Sequence, residues 1–334
     1  DGLSGLPAYQ IARTEKGELY ASTRDGLFLF ENRRWRNIFS DPTHSLDILK
    51  MKEIEGEGLF CFTDNGFIRV LSPDKLQVFT SKELIRRFSL KESNVKWISL
   101  PDYLFEPADH SFTDIIKDKN GNFWLCVNMD EDGRVMIFNQ LLENDSFTSN
   151  YKMLTSDDIH QYGTNQRILE ASNGDIWVIN GNFRIGIHIF KTNGDKNYIQ
   201  LNRLFGGDEF HWSIMENETG EIFISGLGQF FVYDKGKWTH YSADDVPIPP
   251  SCRVIIYKTS NNHLWIGGYQ NKIYKLDYSF NNWITYNKLN FQCESPDGRQ
   301  WFLEAKGKIV VKDGEKWYAY EKEDGLIDTP VRLI

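Results

Sequence analysis

Ten side chains in this 334-residue chain are of types suited to non-covalent recognition: Tyr9, Arg24, Trp97, Arg167, Arg184, His211, Trp212, Arg253, Tyr269 and Gln270. Guanidinium groups present a fixed fork of donors to acids and hydroxyls, and amides both donate and accept. Aromatic rings stack on flat apolar faces, including those of sugar rings. Together the ten suggest a site for an oligosaccharide or another small ligand, including an anionic one. Gln10, Asp25, Asp64, Asn65, Asn128, Asn182 and Phe183 extend the same chemistry, although Asn and Asp at such places also serve turn geometry.

Residues that would make or break bonds are poorly placed. There is no GxSxG elbow, no HExxH pair and no phosphate-cradling glycine loop. The histidines at 44, 110, 160, 188, 211, 240 and 263 do not recur at one spacing. Cys61, Cys126, Cys252 and Cys293 form no CxxC pair and read as small apolar residues in strands. The run DEDG at 130–133 lacks the remaining ligand spacing of a calcium loop and reads as a turn. The expectation is therefore a chain without catalytic residues, metal or cofactor.

Composition narrows the partners further. The net charge is −9 and the basic residues are not clustered, which argues against nucleic acid as a partner. No apolar run approaches the roughly 18 residues that suggest a membrane span. Aromatic content is 14 %, with 10 Trp, as expected of sheet faces or sugar-binding surfaces.

For these residues to converge, the chain must repeat. A phrase of the form N/D-G-x-apolar-aromatic recurs with its aromatic at Tyr20, Phe60, Trp124, Trp177, Phe223, Trp265 and Trp301. Before each anchor lies one run (YQIART, FTDIIKD, QRILEAS). After it come a second apolar run (DGLFLF, NGFIRV, GRVMIF) and an aromatic closing phrase (RWRNIF, KWTHY, KWYAY). Four short runs separated by Gly/Asn/Asp turns read as four antiparallel strands. The middle two runs are apolar throughout, so both faces of each sheet are covered.

Radially packed four-stranded sheets of this period make a β-propeller. The expected fold is all-β: a seven-bladed β-propeller with four antiparallel strands per blade. Its blades fall at about 7–40, 46–80, 111–154, 165–202, 210–242, 251–287 and 289–320, within a single domain over 1–320. The run before each anchor is expected innermost. Its entry and the turn after the second run then face one end of the propeller, where nine of the ten residues collect. The tenth, Trp97, lies on the long connection 81–110. That connection is expected to open with a short helix in SKELIRRF and to cross the same end, bringing Tyr103 and Phe105 with it.

The two ends of the chain echo each other. Asp1-Gly2-Leu3 and Pro7 match Asp324-Gly325-Leu326 and Pro330. Residues 321–334 read as the start of a further repeat or a linker, expected to run away from the seventh blade into another propeller.

The phrases NGDIWVIN, ETGEIFISGLG and NNHLWIGG resemble the two-component regulator propeller repeat over essentially the whole chain. The resemblance implies the periplasmic, extracytoplasmic sensor region of an inner-membrane protein, commonly a hybrid histidine kinase. Many such regions respond to oligosaccharides. It also implies a neighbouring second propeller or β-sandwich domain as partner, and a homodimer is compatible with it. The chain itself is then a sensor rather than an enzyme. The alternatives are a protein–protein scaffold and, second, a propeller lyase or lactonase.

Overall fold

The computed structural model describes residues 8–23, 26–32, 34–40, 48, 50–63, 66–81, 95–100, 110–129, 132–138, 151–154, 165–180, 186–200, 213–226, 228–242, 255–258, 263–268, 272–277, 282–295, 297–304 and 309–320. All regular structure among them is β. The first sheet is β1 (Ala8–Arg13), β2 (Leu19–Thr23), β3 (Gly26–Glu31) and β4 (Arg34–Phe39). The second is β5 (Lys50–Ile54), β6 (Gly58–Thr63), β7 (Gly66–Ser72), β8 (Lys75–Thr80) and β9 (Val95–Ser99). The third is β10 (His110–Lys117), β11 (Phe123–Met129), β12 (Asp132–Phe138) and β13 (Tyr151–Leu154). The fourth is β14 (Asn165–Glu170), β15 (Ile176–Asn180), β16 (Ile187–Phe190) and β17 (Lys196–Ile199).

Three further sheets follow: β18 (Ile214–Glu216) to β21 (Lys237–Tyr241), β22 (Ile255–Lys258) to β25 (Asn282–Asn287), and β26 (Leu289–Glu294) to β29 (Lys316–Tyr320). Within every sheet the strands lie in chain order. This is the meander of an all-β propeller. Six sheets have the expected four strands, and the second has five. There β9 adds to β8 in parallel, through Leu76↔Val95 to Thr80↔Ser99.

Five of the first turns share one internal wiring. In the turn before Trp124, Asp118 N–H bonds Asn122 O and Gly121 N–H bonds Asp118 O, both at 2.8 Å. Thr14, Ala171, Asn217 and Ser295 open equivalent turns. At the other hairpin, Gly26 and Gly66 have φ of 126° and 149°. A Cβ on either would lie 1.9 Å from the carbonyl oxygen of Phe39 or Phe79. The DG and NG dipeptides are thus required there by close backbone approach as well as by turn type.

The strands form two compact units. One holds the sheets β1–β4, β5–β9 and β26–β29; the other holds the four sheets from β10 to β25. In the first unit the N-terminal sheet packs against the C-terminal one. Ile11, Leu19, Ala21, Phe28 and Trp35 share a core with Leu303, Ile309 and Val311. On its other face, Tyr20, Leu27, Leu29 and Phe39 join Met51, Leu59, Cys61 and Ile68. In the second unit, Cys126 and Val135 meet Ile168 and Val178, and Trp177 and Ile187 meet Ile224 and Phe231. The first and fourth sheets are thus covered on both faces, which is why their middle strands are apolar throughout.

Ala8–Arg13 is the first strand of the first sheet, paired with Leu19–Thr23. The expectations for the tail 321–334 and for a helix beyond Ser81 fall outside the described residues.

Candidate functional site

The first strands lie where successive sheets meet: β1 contacts both β5 and β26, and β10–β14, β14–β18 and β18–β22 are in contact. The fourth strands are more exposed, as in β17, β21 and β29. Three first strands, β1, β10 and β14, carry a bulge at one repeat position, with Tyr9, Thr113 and Gln166 as the extra residues. Bulges bend a strand and re-aim the side chain that follows. The residues after them are Gln10, Asp114 and Arg167. Ser213 holds the equivalent position before β18, opposite Ser225.

Three of these four residues bridge to the next sheet. Gln10 Oε1 accepts Met51 N–H, and Gln10 Nε2 donates to Met51 O at 3.2 Å. Asp114 Oδ2 accepts Ile168 N–H at 3.1 Å, and Ser213 Oγ accepts Ile256 N–H at 2.9 Å. Gln10, Asp114 and Ser213 are therefore spent on the seams. Arg167 departs from the pattern. It is half-buried, and as a donor-only group it cannot accept the N–H its counterparts accept.

At the turn end of the seams, glutamates accept backbone N–H groups from the preceding sheet. Glu53 receives Glu15 N–H at 2.9 and 3.0 Å, Glu170 receives Lys119 N–H at 3.0 Å, and Glu216 receives Ser172 N–H at 2.7 Å. In the first sheet this position is Arg13, and the turn before it supplies Asp297, 3.6 Å away. Burial pushes the Glu53 carboxyl above its ordinary range, against the pull of the Glu15 N–H. Asp297 is held below the usual carboxylate range, chiefly by the Ser295 hydroxyl.

At the opposite end of these strands, where the sequence places the expected site, few of its residues are described. Asn128, in the second strand of the third sheet, is 6 % exposed. Its Nδ2 donates to Ser111 Oγ at 3.3 Å, while its Oδ1 is buried without a partner. Tyr9 lies in β1 as a bulge residue, and Arg167 lies in β14. Arg24, Arg184, His211, Trp212, Arg253, Tyr269 and Gln270 fall outside the described residues.

Trp97 requires a correction. It lies in β9, the outermost strand of the second sheet and four strands away from β5. Its ring packs against the core shared by the first two sheets, 6.3 Å from Phe39. Parallel pairing with β8 holds it at the outer edge, so it is not a contact at the propeller end.

Among the described residues no group of three His, Cys, Asp or Glu is placed to hold a metal. His188 stacks on Tyr198 at 4.7 Å and His240 on Phe231 at 4.8 Å, both within strand pairs. Cys61 and Cys126 are buried in the cores of their sheets. Burial pushes the Cys293 thiol up to about 11. No helix among the described residues is long and apolar enough to cross a membrane.

No family model and no curated protein matches this sequence. Solved structures do. The chain is similar to virginiamycin B lyase from Staphylococcus aureus, with 13% identity and a TM-score of 0.63 over 90% of this chain and 92% of that one. It is similar to the extracellular domain of the hybrid two-component system BT4673 from B. thetaiotaomicron, at 13% identity and TM-score 0.58 over 96% of this chain. It is also similar to PorZ, a surface component of the type-IX secretion system of Porphyromonas gingivalis, at 15% identity and TM-score 0.59 over 96% of this chain. The chain spans 39% of the BT4673 domain and 47% of PorZ. At these identities the likeness shows the propeller fold alone.

Proposed function

We propose that this chain is a seven-bladed sensor propeller over residues 1–320, working outside the cytoplasm and passing ligand occupancy to a signalling partner such as a kinase. The observation that carries this reading is the likeness to the extracellular domain of a hybrid two-component system over 96% of this chain. The buried amide of Asn128 at the propeller end adds a polar group suited to a small ligand. The ligand class is a neutral or acidic oligosaccharide, matched by the Arg, amide and aromatic side chains expected at that end. A second propeller or sandwich domain of the same protein is the natural neighbour. Titrating neutral and acidic oligosaccharides while following thermal unfolding tests the reading, because a ligand bound only by the folded state raises the melting temperature. Absence of a shift with any of them would overturn direct sensing.

A scaffold role is the second reading, and one observation favours it. Trp317 and Tyr318 on the outer strand β29 are 40% and 48% exposed. Exposed aromatics on an edge strand suit a protein contact. Concentration-dependent association of the pure chain, lost on Trp317→Ser, would support this reading through a homodimer.

A further inference from the structure

The amide of Asn128 is a buried polar group with one function unmet, which is unusual in a folded protein. Its strand partner Ser111 satisfies Nδ2. If the amide were turned over, Ser111 could satisfy Oδ1 instead, and the nitrogen would then be left. In either orientation one polar atom of Asn128 is unsatisfied. Such an atom destabilises the empty protein. The position is also distinctive within the repeat. Asn128 stands four residues after the aromatic anchor Trp124, where the other repeats place Arg24, Asp64, Gly181, Leu227, Tyr269 and Ala305. It is therefore not a fixed requirement of the blade.

The surroundings define what the amide can meet. Trp124 and Cys126, on the same face of β11, pack into the seam with the fourth sheet, against Ile168, Ile176 and Val178. The nearby Asp114 carboxylate is 1% exposed and accepts Ile115 N–H and Ile168 N–H. Asp114 thus presents acceptor oxygens beside the seam, to which a ligand hydroxyl can donate and a ligand carboxylate cannot. A hydroxyl both donates and accepts, so it satisfies the amide in either orientation.

We propose that Asn128, supported by Ser111, is a hydroxyl-recognising subsite at the loop end of the seam between the third and fourth sheets. It would select a neutral sugar unit of the ligand. The subsite rests on the sensor reading above.

The test compares the wild-type chain with Asn128→Leu and Asn128→Val, which remove the amide at similar shape. Melting temperature is read alone and with a panel of neutral di- to hexasaccharides of glucose, xylose, galactose and arabinose. Without saccharide, both variants should melt higher than wild type, by on the order of 1–3 °C for a chain of this size. With the best saccharide, the wild-type rise should be lost or fall at least tenfold in apparent affinity in the variants. Lower melting of both variants without saccharide would overturn the subsite, because the amide would then already be satisfied. An equal rise in wild type and variants would overturn the subsite alone and leave the sensor reading standing. No rise in wild type with this neutral panel would overturn the subsite, and the sensor reading would fall with it only if acidic oligosaccharides gave no rise either.

Discussion

Trp124 donates its indole N–H to Asp118, six residues earlier, at 2.9 Å. The same Asp118 carboxylate accepts the N–H groups of Asn120 and Asn122, so one side chain ties the turn to the anchor of its blade. Trp301 makes the equivalent bond to Ser295 at 3.3 Å. Trp177 does not. The residue six before it is Ala171, and its indole N–H is buried without an acceptor. The turn at Ala171 has the same backbone bonds as the turn at Asp118. Ala171→Ser and Ala171→Asp should therefore stabilise the protein by about 1 kcal/mol. Thermal unfolding at neutral pH checks this, with Asp expected to gain less because Glu216 lies at the same turn.

Asp114 holds two sheets together from inside the seam. Asp114→Ala leaves Ile168 N–H without its acceptor and should cost about 2–3 kcal/mol. Asp114→Asn keeps an acceptor oxygen and should cost clearly less. Urea unfolding of the two variants separates a charge requirement from an acceptor requirement.

Gly66 is required by geometry. At φ 149° an added Cβ meets the Phe79 carbonyl at 1.9 Å, and backbone cannot yield as a side chain can. Gly66→Ala should destabilise by about 2 kcal/mol or more. Gly56→Ala has open space around its Cβ but φ of 72°, so it should cost only about 1 kcal/mol. The comparison separates close approach from φ alone, with chemical denaturation as the readout.

Much of this fold was legible because each blade repeats its own punctuation. NGDIWVIN announces a turn, an anchor and β15, and DGLFLF announces β3. Doubly covered sheets make the middle strands apolar throughout, so their pattern survives in the sequence. The fifth strand β9 was not legible. VKWIS lies within a long connection and pairs in parallel, so no hairpin dipeptide marks it. The seams were hidden for a related reason. In the sequence Gln10 and Asp114 are simply polar residues in a first strand, and the bulge that turns each side chain to the next sheet leaves no signature there. Asn128 stood out only as one turn-end polar residue among several, since a missing hydrogen bond leaves no trace in sequence.

Glu53 gives a pH dependence whose sign follows from burial. Its folded-state pKa is raised by desolvation. The folded state therefore holds a proton on Glu53 more tightly than the unfolded chain does. The stability this contributes is fully present below the ordinary glutamate value and is lost as pH rises through the raised value. Glu53→Gln retains one acceptor for Glu15 N–H and removes the titration. As pH rises from about 4 to 7, the melting temperature of Glu53→Gln should gain on wild type. A constant difference across that range would show that the carboxyl does not carry the effect.

Trp97 separates packing from recognition. In the outer strand β9 its ring fills space beside Phe39 and the core of the first two sheets. Trp97→Ala should therefore behave as a large-to-small change at a partly buried site and cost about 2–3 kcal/mol, at or below the low end of the fully buried range. Its ligand response, measured well below the melting temperature, should match wild type, because β9 lies at the sheet edge farthest from the first strands. Trp97→Phe should recover most of the stability. A variant with unchanged stability and a lost ligand response would instead return Trp97 to the binding end, against its place in the fifth strand.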